Sequence, residues 1–128
     1  MRPLPEKKKR TADLMDECVF CKIASGLIRS DIVYKNEKII AFRDISPQAP
    51  AHIVVIPVEH VEKVEAVKNY DIFPEFFEAI NAIIKSDASG VFRDGFRIVI
   101  NSGRAGGQTV NHLHFHLLAG RQMLWPPG

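Results

Sequence analysis

Three of the chain's five histidines, His112, His114 and His116, stand at alternate positions. Along an extended strand, successive side chains point to opposite faces. In Asn111-His112-Leu113-His114-Phe115-His116-Leu117 the imidazoles therefore share one face, while Leu113, Phe115 and Leu117 share the other. Same-face neighbours lie about 6.6 Å apart, so the three rings can surround one small anionic group. Charged rings in this arrangement would repel one another. The pattern asks for rings that are mostly neutral or that face an anion. An accidental polar face on a half-exposed strand accounts poorly for three such rings in five residues.

Two chemistries suit these rings. Imidazole binds zinc, but histidines alternating on a flat strand need a ligand from elsewhere, and no carboxylate accompanies them. Phosphoryl chemistry fits better. A neutral imidazole attacks phosphorus in line while its neighbours stabilise the equatorial oxygens. The preceding turn, SGRAGGQT (102–109), carries three glycines, whose backbone N–H groups can approach a phosphate closely. Alone it is a tight loop; beside the histidines it supports an anion site. A second constellation is Cys18-x-x-Cys21. In a reducing compartment such a pair is a metal half-site, a redox pair or two free buried thiols. No thioredoxin-like βαβ pattern surrounds it, which weighs against redox work.

The elements that must position these residues are legible. Residues 1–13 hold two prolines and the run Lys7-Lys8-Lys9-Arg10, so they read as a solvated, disordered basic arm. The rest, 14–128, reads as one domain. CVFCKIASG suits a short helix ending at Gly26. Strands are expected at Ile32–Tyr34, Lys38–Arg43, 52–57, 95–101 and 111–120, with SPQAPAH a loop. Residues 58–70 form a charged connector with a short helix at HVEKVEAV. Ile72, Phe76, Phe77, Ile80, Ile83 and Ile84 make a stripe near period 3.6, predicting one long helix over 72–88. Asn69 or Asp71 would cap it. The class is α+β, with short turns implying an antiparallel sheet.

Composition sets limits. The sequence is 46% hydrophobic and 25% charged with a formal charge of +2, and much of that excess sits in the arm. No broad basic surface remains for nucleic acid. No apolar run approaches the roughly 18 residues of a membrane span, and no secretory signal opens the chain. A cytoplasmic protein is the expectation.

The motif His112-Leu-His114-Phe-His116-Leu-Leu resembles the signature of the histidine triad (HIT) superfamily. AFRDISPQAPAHIVVIP (41–57), NSGRAGGQTVNHLHFH (101–116) and GRQMLWPPG (120–128) resemble its Hint branch, the purine nucleoside phosphoramidases. The likeness spans roughly residues 18 to 128. It implies the HIT fold: a five-stranded antiparallel sheet with one long and one short helix, two chains joining into a ten-stranded sheet as a homodimer. It also implies hydrolysis of the P–N bond in adenosine 5′-phosphoramidates or aminoacyl-AMP, through a nucleotidyl-histidine intermediate and without a catalytic cofactor. The partner is then a purine nucleoside monophosphate or its amine conjugate, with no nucleic acid and no membrane.

Residue by residue, His114 matches the nucleophile. His116 and His52 match histidines that hold the α-phosphate and the nucleophile, and His112 a supporting one. Asp44 matches the acid on the ribose hydroxyls. Phe20, Ile23 and Ile45 match the base-pocket walls, although ordinary core packing would equally place Ile23 and Ile45. Asn101 and Gly107 match the phosphate end, and Gln108 and Thr109 stand where the turn meets phosphate. Trp125 matches a tail residue that reaches the partner's site. A nucleophilic His114 needs an acceptor on its other nitrogen, expected from a carbonyl in the glycine turn. The cysteine pair, with His60 and His112, resembles the structural zinc site of many microbial relatives. Leu124 and Ala119 depart from the branch, where histidine and glycine are usual, so leaving-group preference is open. Rival readings are a dinucleoside polyphosphate hydrolase or nucleotidyl transferase of the same superfamily, or a non-catalytic nucleotide-binding scaffold.

Overall fold

The computed structural model describes residues 17–128; the expected arm at 1–13 and the domain start at 14 lie outside the described residues. The first element that lies wholly among the described residues is a short helix, α1 (Val19–Ala24), with Cys18 at its N-cap. Strands β1 (Ile32–Lys35), β2 (Ile39–Arg43) and β3 (Ala51–Pro57) follow. A 3₁₀ turn at Val64–Ala66 leads to the long helix α2 (Ile72–Ser86), then to β4 (Phe96–Ile100) and β5 (Phe115–Ala119). All neighbours pair antiparallel, in the order β1-β2-β3-β5-β4. The α+β class is as expected. Among the described residues no helix is long and apolar enough to cross a membrane.

The short helix and strands β1 to β4 differ from the sequence reading by one or two residues at their ends, and three differences bear on the site or the long helix. The long helix stops at Ser86, two residues early. Asp71 stands at its N-cap but makes no side-chain capping bond, its backbone being αR rather than extended, and the Asn69 carboxamide accepts the Asp71 N–H. The expected connector helix at HVEKVEAV shrinks to the single 3₁₀ turn. The last strand was expected from Asn111, yet β5 begins at Phe115. His112 and His114 thus precede the ladder, and only His116 lies within it.

Strand alternation divides the core in two. Ile39, Ala41, Ile53, Val55, Leu113, Phe115 and Leu117 face α2. There the rings of Phe76 and Phe115 stack with centroids 4.1 Å apart. The opposite parity, Ile40, Phe42, Val54 and Ile56, packs under Cys18, Phe20, Cys21 and Ile23 of the α1 region. Because β3 is covered on both faces, it reads as an unbroken apolar run with one polar member, His52. The histidines carry the second parity. The sheet therefore supplies a buried apolar backing on one side and the polar groups on the other.

Candidate active site and metal centre

Each histidine's partner fixes its tautomer. At His114, Nδ1 lies 2.7 Å from the His112 carbonyl. A carbonyl only accepts, so Nδ1 carries the proton and Nε2 keeps a free lone pair. The acceptor is thus the main chain two residues earlier, not a carbonyl of the glycine turn. His112 precedes β5, so its carbonyl lies outside the strand pairs and meets the His114 ring instead. His52 has the opposite arrangement. The Gln48 N–H donates to its Nδ1 at 3.0 Å, so the His52 proton sits on Nε2. That nitrogen donates to His116 Nδ1 at 2.8 Å. His116 in turn must carry its own proton on Nε2. A directional chain results: Gln48 N–H to His52 to His116, ending in a free N–H donor. The ring centroids of His114 and His116 are 4.8 Å apart, so the ring with the free lone pair and the ring with the free donor are neighbours. Such a pair can attack an electrophile and hand a proton to what leaves.

The electrostatics keep these rings neutral. Burial pushes the His116 pKa down to about 4, helped by His114 and His52 and opposed by Asp44. Burial also lowers His114, opposed by its bond to the His112 carbonyl and by Asp44. Burial lowers His52, again opposed by Asp44. Asp44 stands 3.5 Å from His52 Nε2 and accepts the Ser46 N–H at 2.7 Å. The expectation of mostly neutral imidazoles therefore holds for this group.

His112 belongs to a different neighbourhood. Its Nε2 donates to the Pro57 carbonyl at 2.9 Å, leaving the Nδ1 lone pair directed at sulfur. Cys18 Sγ is 3.3 Å and Cys21 Sγ 3.5 Å from it. His60 Nδ1 is 3.3 Å from Cys21 Sγ. All four donor atoms lie within 4.8 Å of one another. Two Zn–S bonds of about 2.3 Å and two Zn–N bonds of about 2.0 Å in a tetrahedron separate S from N by roughly 3.5 Å. The donors fit zinc in number, type and spacing. Burial raises the Cys21 thiol to about 12, helped by Cys18; a bound cation would reverse that and stabilise thiolate. Both ring nitrogens of His112 are thereby engaged, which removes it from acid–base work.

The other expected residues divide. Phe20 is buried and packs edge-on to His114 at 5.1 Å and to His112 at 5.9 Å. Ile23 is buried in the same cluster. Ile45, beside Asp44, is 96% exposed, so ordinary core packing does not place it. Asn101 is half-buried and Thr109 exposed. Gly107 adopts φ +83°, open to glycine at little cost, and its N–H closes a turn on Arg104 O. A Cβ on Gly106 would overlap the Ser102 carbonyl, so the loop admits no side chain there. Gln108 spends its carboxamide on the main chain: Oε1 accepts the Gly103 N–H, and Nε2 donates to Glu62 O and Val110 O. It braces the loop. Trp125 is exposed, one residue past the Leu124 carbonyl that Arg97 pins at 2.8 Å.

Sequence reasoning missed the Gln48 N–H, the Pro57 carbonyl and the bond from the Ser102 hydroxyl to the Glu65 carboxylate. The first two are main-chain groups with no side-chain signal. A hollow of about 820 Å³ is lined by Pro50, Gly90, Phe96, Gly120 and Arg121 among others, and by none of the histidines; size alone does not mark the chemistry.

With this geometry in place, the HIT domain family matches residues 25–123. The chain belongs to the HIT family. A HIT family hydrolase from Legionella pneumophila Philadelphia 1, of known structure, is 43% identical to this HIT protein. That match covers 88% of this chain and 100% of the other, with a TM-score of 0.78. The 14 kDa zinc-binding protein of Zea mays is 43% identical over 115 residues, covering 86% of this chain and 87% of the maize protein. Adenylylsulfatase HINT1 of Arabidopsis thaliana is 42% identical over 115 residues, covering 86% of this chain and 76% of the plant protein. The five-stranded antiparallel sheet with two helices is the fold of these neighbours. The HIT hydrolase family and a centre able to hold zinc follow from the same comparisons.

Proposed function

We propose that this HIT protein hydrolyses the P–N bond of purine nucleoside 5′-phosphoramidates, including aminoacyl-AMP, through a nucleotidyl-His114 intermediate. The observation that carries the reading is the free Nε2 lone pair of His114 beside the Nε2–H of His116. In the first step His114 Nε2 bonds to the α-phosphorus as the P–N bond breaks. The phosphate-bound His116 first takes up one proton from solvent, and the departing nitrogen then takes the electron pair and the proton of His116 Nε2, which leaves His116 as the neutral ring. The phosphate's negative charge raises the proton affinity of His116 when substrate is bound. In the second step water oxygen bonds to phosphorus, the P–Nε2 bond breaks, and the water's proton restores His116. Before substrate binds, His52 holds His116 in the Nε2–H tautomer that faces the phosphate.

In this reading Asp44 accepts the ribose hydroxyls by charge-assisted bonds, with Ile45, Phe20 and Ile23 against the base. Asn101, Gly107 and Thr109 belong to the loop beside the phosphate. A relative named adenylylsulfatase supports an adenylyl group as the part held. The apolar edge strand β4, with Phe96 and Ile100 exposed, supports a homodimer in which Trp125 serves the partner's site. Turnover of adenosine 5′-phosphoramidate, adenylyl sulfate and diadenosine triphosphate by the wild-type protein tests the reading. Fastest turnover of the phosphoramidate is expected. Faster turnover of the triphosphate would overturn it in favour of a dinucleoside polyphosphate hydrolase, and no turnover at all in favour of a scaffold.

A further inference from the structure

We infer that the Cys18–Cys21–His60–His112 centre positions the reacting histidine, so that Cys18, Cys21 and His60 are positioning residues for His114. The inference rests on His114 being the nucleophile proposed above.

Two independent connections join the centres. The first is covalent and short. His112 gives its Nδ1 to the four-donor group and its main-chain carbonyl to His114 Nδ1–H at 2.7 Å. That one carbonyl holds the His114 proton away from the attacking nitrogen. Anything that rotates the His112 peptide releases the tautomer. The second runs through α1. Cys18 is its N-cap and Cys21 lies in its first turn, so both sulfur donors sit on the helix that carries Phe20. Phe20 lies edge-on to both His112 and His114, and to Phe42 at 5.5 Å. A metal ion bound by Cys18 and Cys21 ties this six-residue helix to His60 and His112. A helix this short has little stability of its own, and its grip on the His114 ring depends on that tie.

A purely structural centre would need neither link. His112 is already anchored by Pro57 O at 2.9 Å, and Leu113 N donates to Val61 O at 2.6 Å. The second bond holds the peptide unit that bears the His112 carbonyl, and its acceptor Val61 follows His60 in the chain, so this peptide is fixed through a ligand segment of the same centre. The metal adds orientation of the carbonyl and of the Phe20 edge, which sets the fraction of His114 in the attacking tautomer.

The test compares zinc-loaded protein, chelator-stripped protein and the stripped protein refilled with cobalt. Two-bond proton–nitrogen correlations of the histidine rings report the His114 tautomer directly. Turnover of adenosine 5′-phosphoramidate gives kcat and KM. Expected is a single Nδ1–H tautomer in both metal-loaded forms and a mixed one in the stripped form. The kcat should fall about 10- to 100-fold on stripping, the scale seen when supporting partners of reactive groups are removed, with KM changed less than about threefold. His60→Asn, which keeps both thiols and His112, repeats the comparison if the stripped protein unfolds. An unchanged His114 tautomer and unchanged kcat without metal overturn the inference. A changed tautomer with no turnover in any form upholds the positioning role and overturns the proposed activity instead.

Discussion

His112 and His114 are two residues apart, both buried, and each bonds a main-chain carbonyl through one ring nitrogen. They do so with opposite nitrogens. His112 uses Nε2 on Pro57, which leaves Nδ1 for sulfur's neighbourhood. His114 uses Nδ1 on His112, which leaves Nε2 for an electrophile. The difference teaches that residue type does not assign a role here. The carbonyl each ring meets decides which nitrogen is basic and so whether it serves a cation or a phosphorus atom.

Substitution at the reacting ring should break the comparison most sharply. His114→Ala is expected to lower turnover of adenosine 5′-phosphoramidate by at least about 10³-fold, as loss of a nucleophile does. AMP binding by calorimetry and zinc content by atomic emission should stay near wild type. If turnover survives within tenfold, another group attacks phosphorus. Next in size is a contrast between two asparagines. His116→Asn should cost about 10²-fold in kcat, the scale of a lost proton donor, with zinc retained. His112→Asn should instead weaken zinc binding by more than about tenfold and lower the melting temperature. Equal zinc loss in both variants would erase the distinction.

Acid offers a third handle. The His116 pKa is held at about 4 against an ordinary 6.5, so the unfolded chain takes up the proton first as pH falls. Stability from keeping this ring neutral is present above pH 6.5 and drains away between 6.5 and 4. Urea midpoints across that window should decline in wild type and decline less steeply in His116→Gln. Parallel slopes would remove His116 from the account. The smallest expected effect is at Ile45. Its 96% exposure predicts that Ile45→Ser changes stability by less than about 0.5 kcal/mol. KM should rise roughly fivefold if the side chain meets the base. An unchanged KM would take it out of the binding surface.

The long helix was legible because burial on one side imposes a period near 3.6 over Ile72–Ser86, and β3 because burial on both faces makes it a β-branched apolar run. The shared face of the histidines was legible from the alternation of side chains along an extended chain, since Leu113, Phe115 and Leu117 had to face α2. The cysteine spacing, joined to His60 and His112 by family likeness, reached the four-donor group. What escaped was decided by main-chain atoms. Nothing in a side-chain pattern says that β5 starts only at Phe115, which frees the His112 carbonyl, or that the Gln48 N–H sets the His52 proton. Gln108 was read for its place in the glycine turn, whereas its carboxamide is consumed by three main-chain bonds.

That carboxamide has a mechanical consequence. By clasping Gly103 on one side and Glu62 on the other, Gln108 fuses the β4–β5 loop to the segment that follows β3. Separating the two costs these hydrogen bonds. Since His60 rides on that segment, the loop cannot swing outward like a hinged flap without tugging on the sulfur-lined pocket. Admitting a bulky guest by moving this loop therefore carries the added cost of disturbing the segment that bears His60.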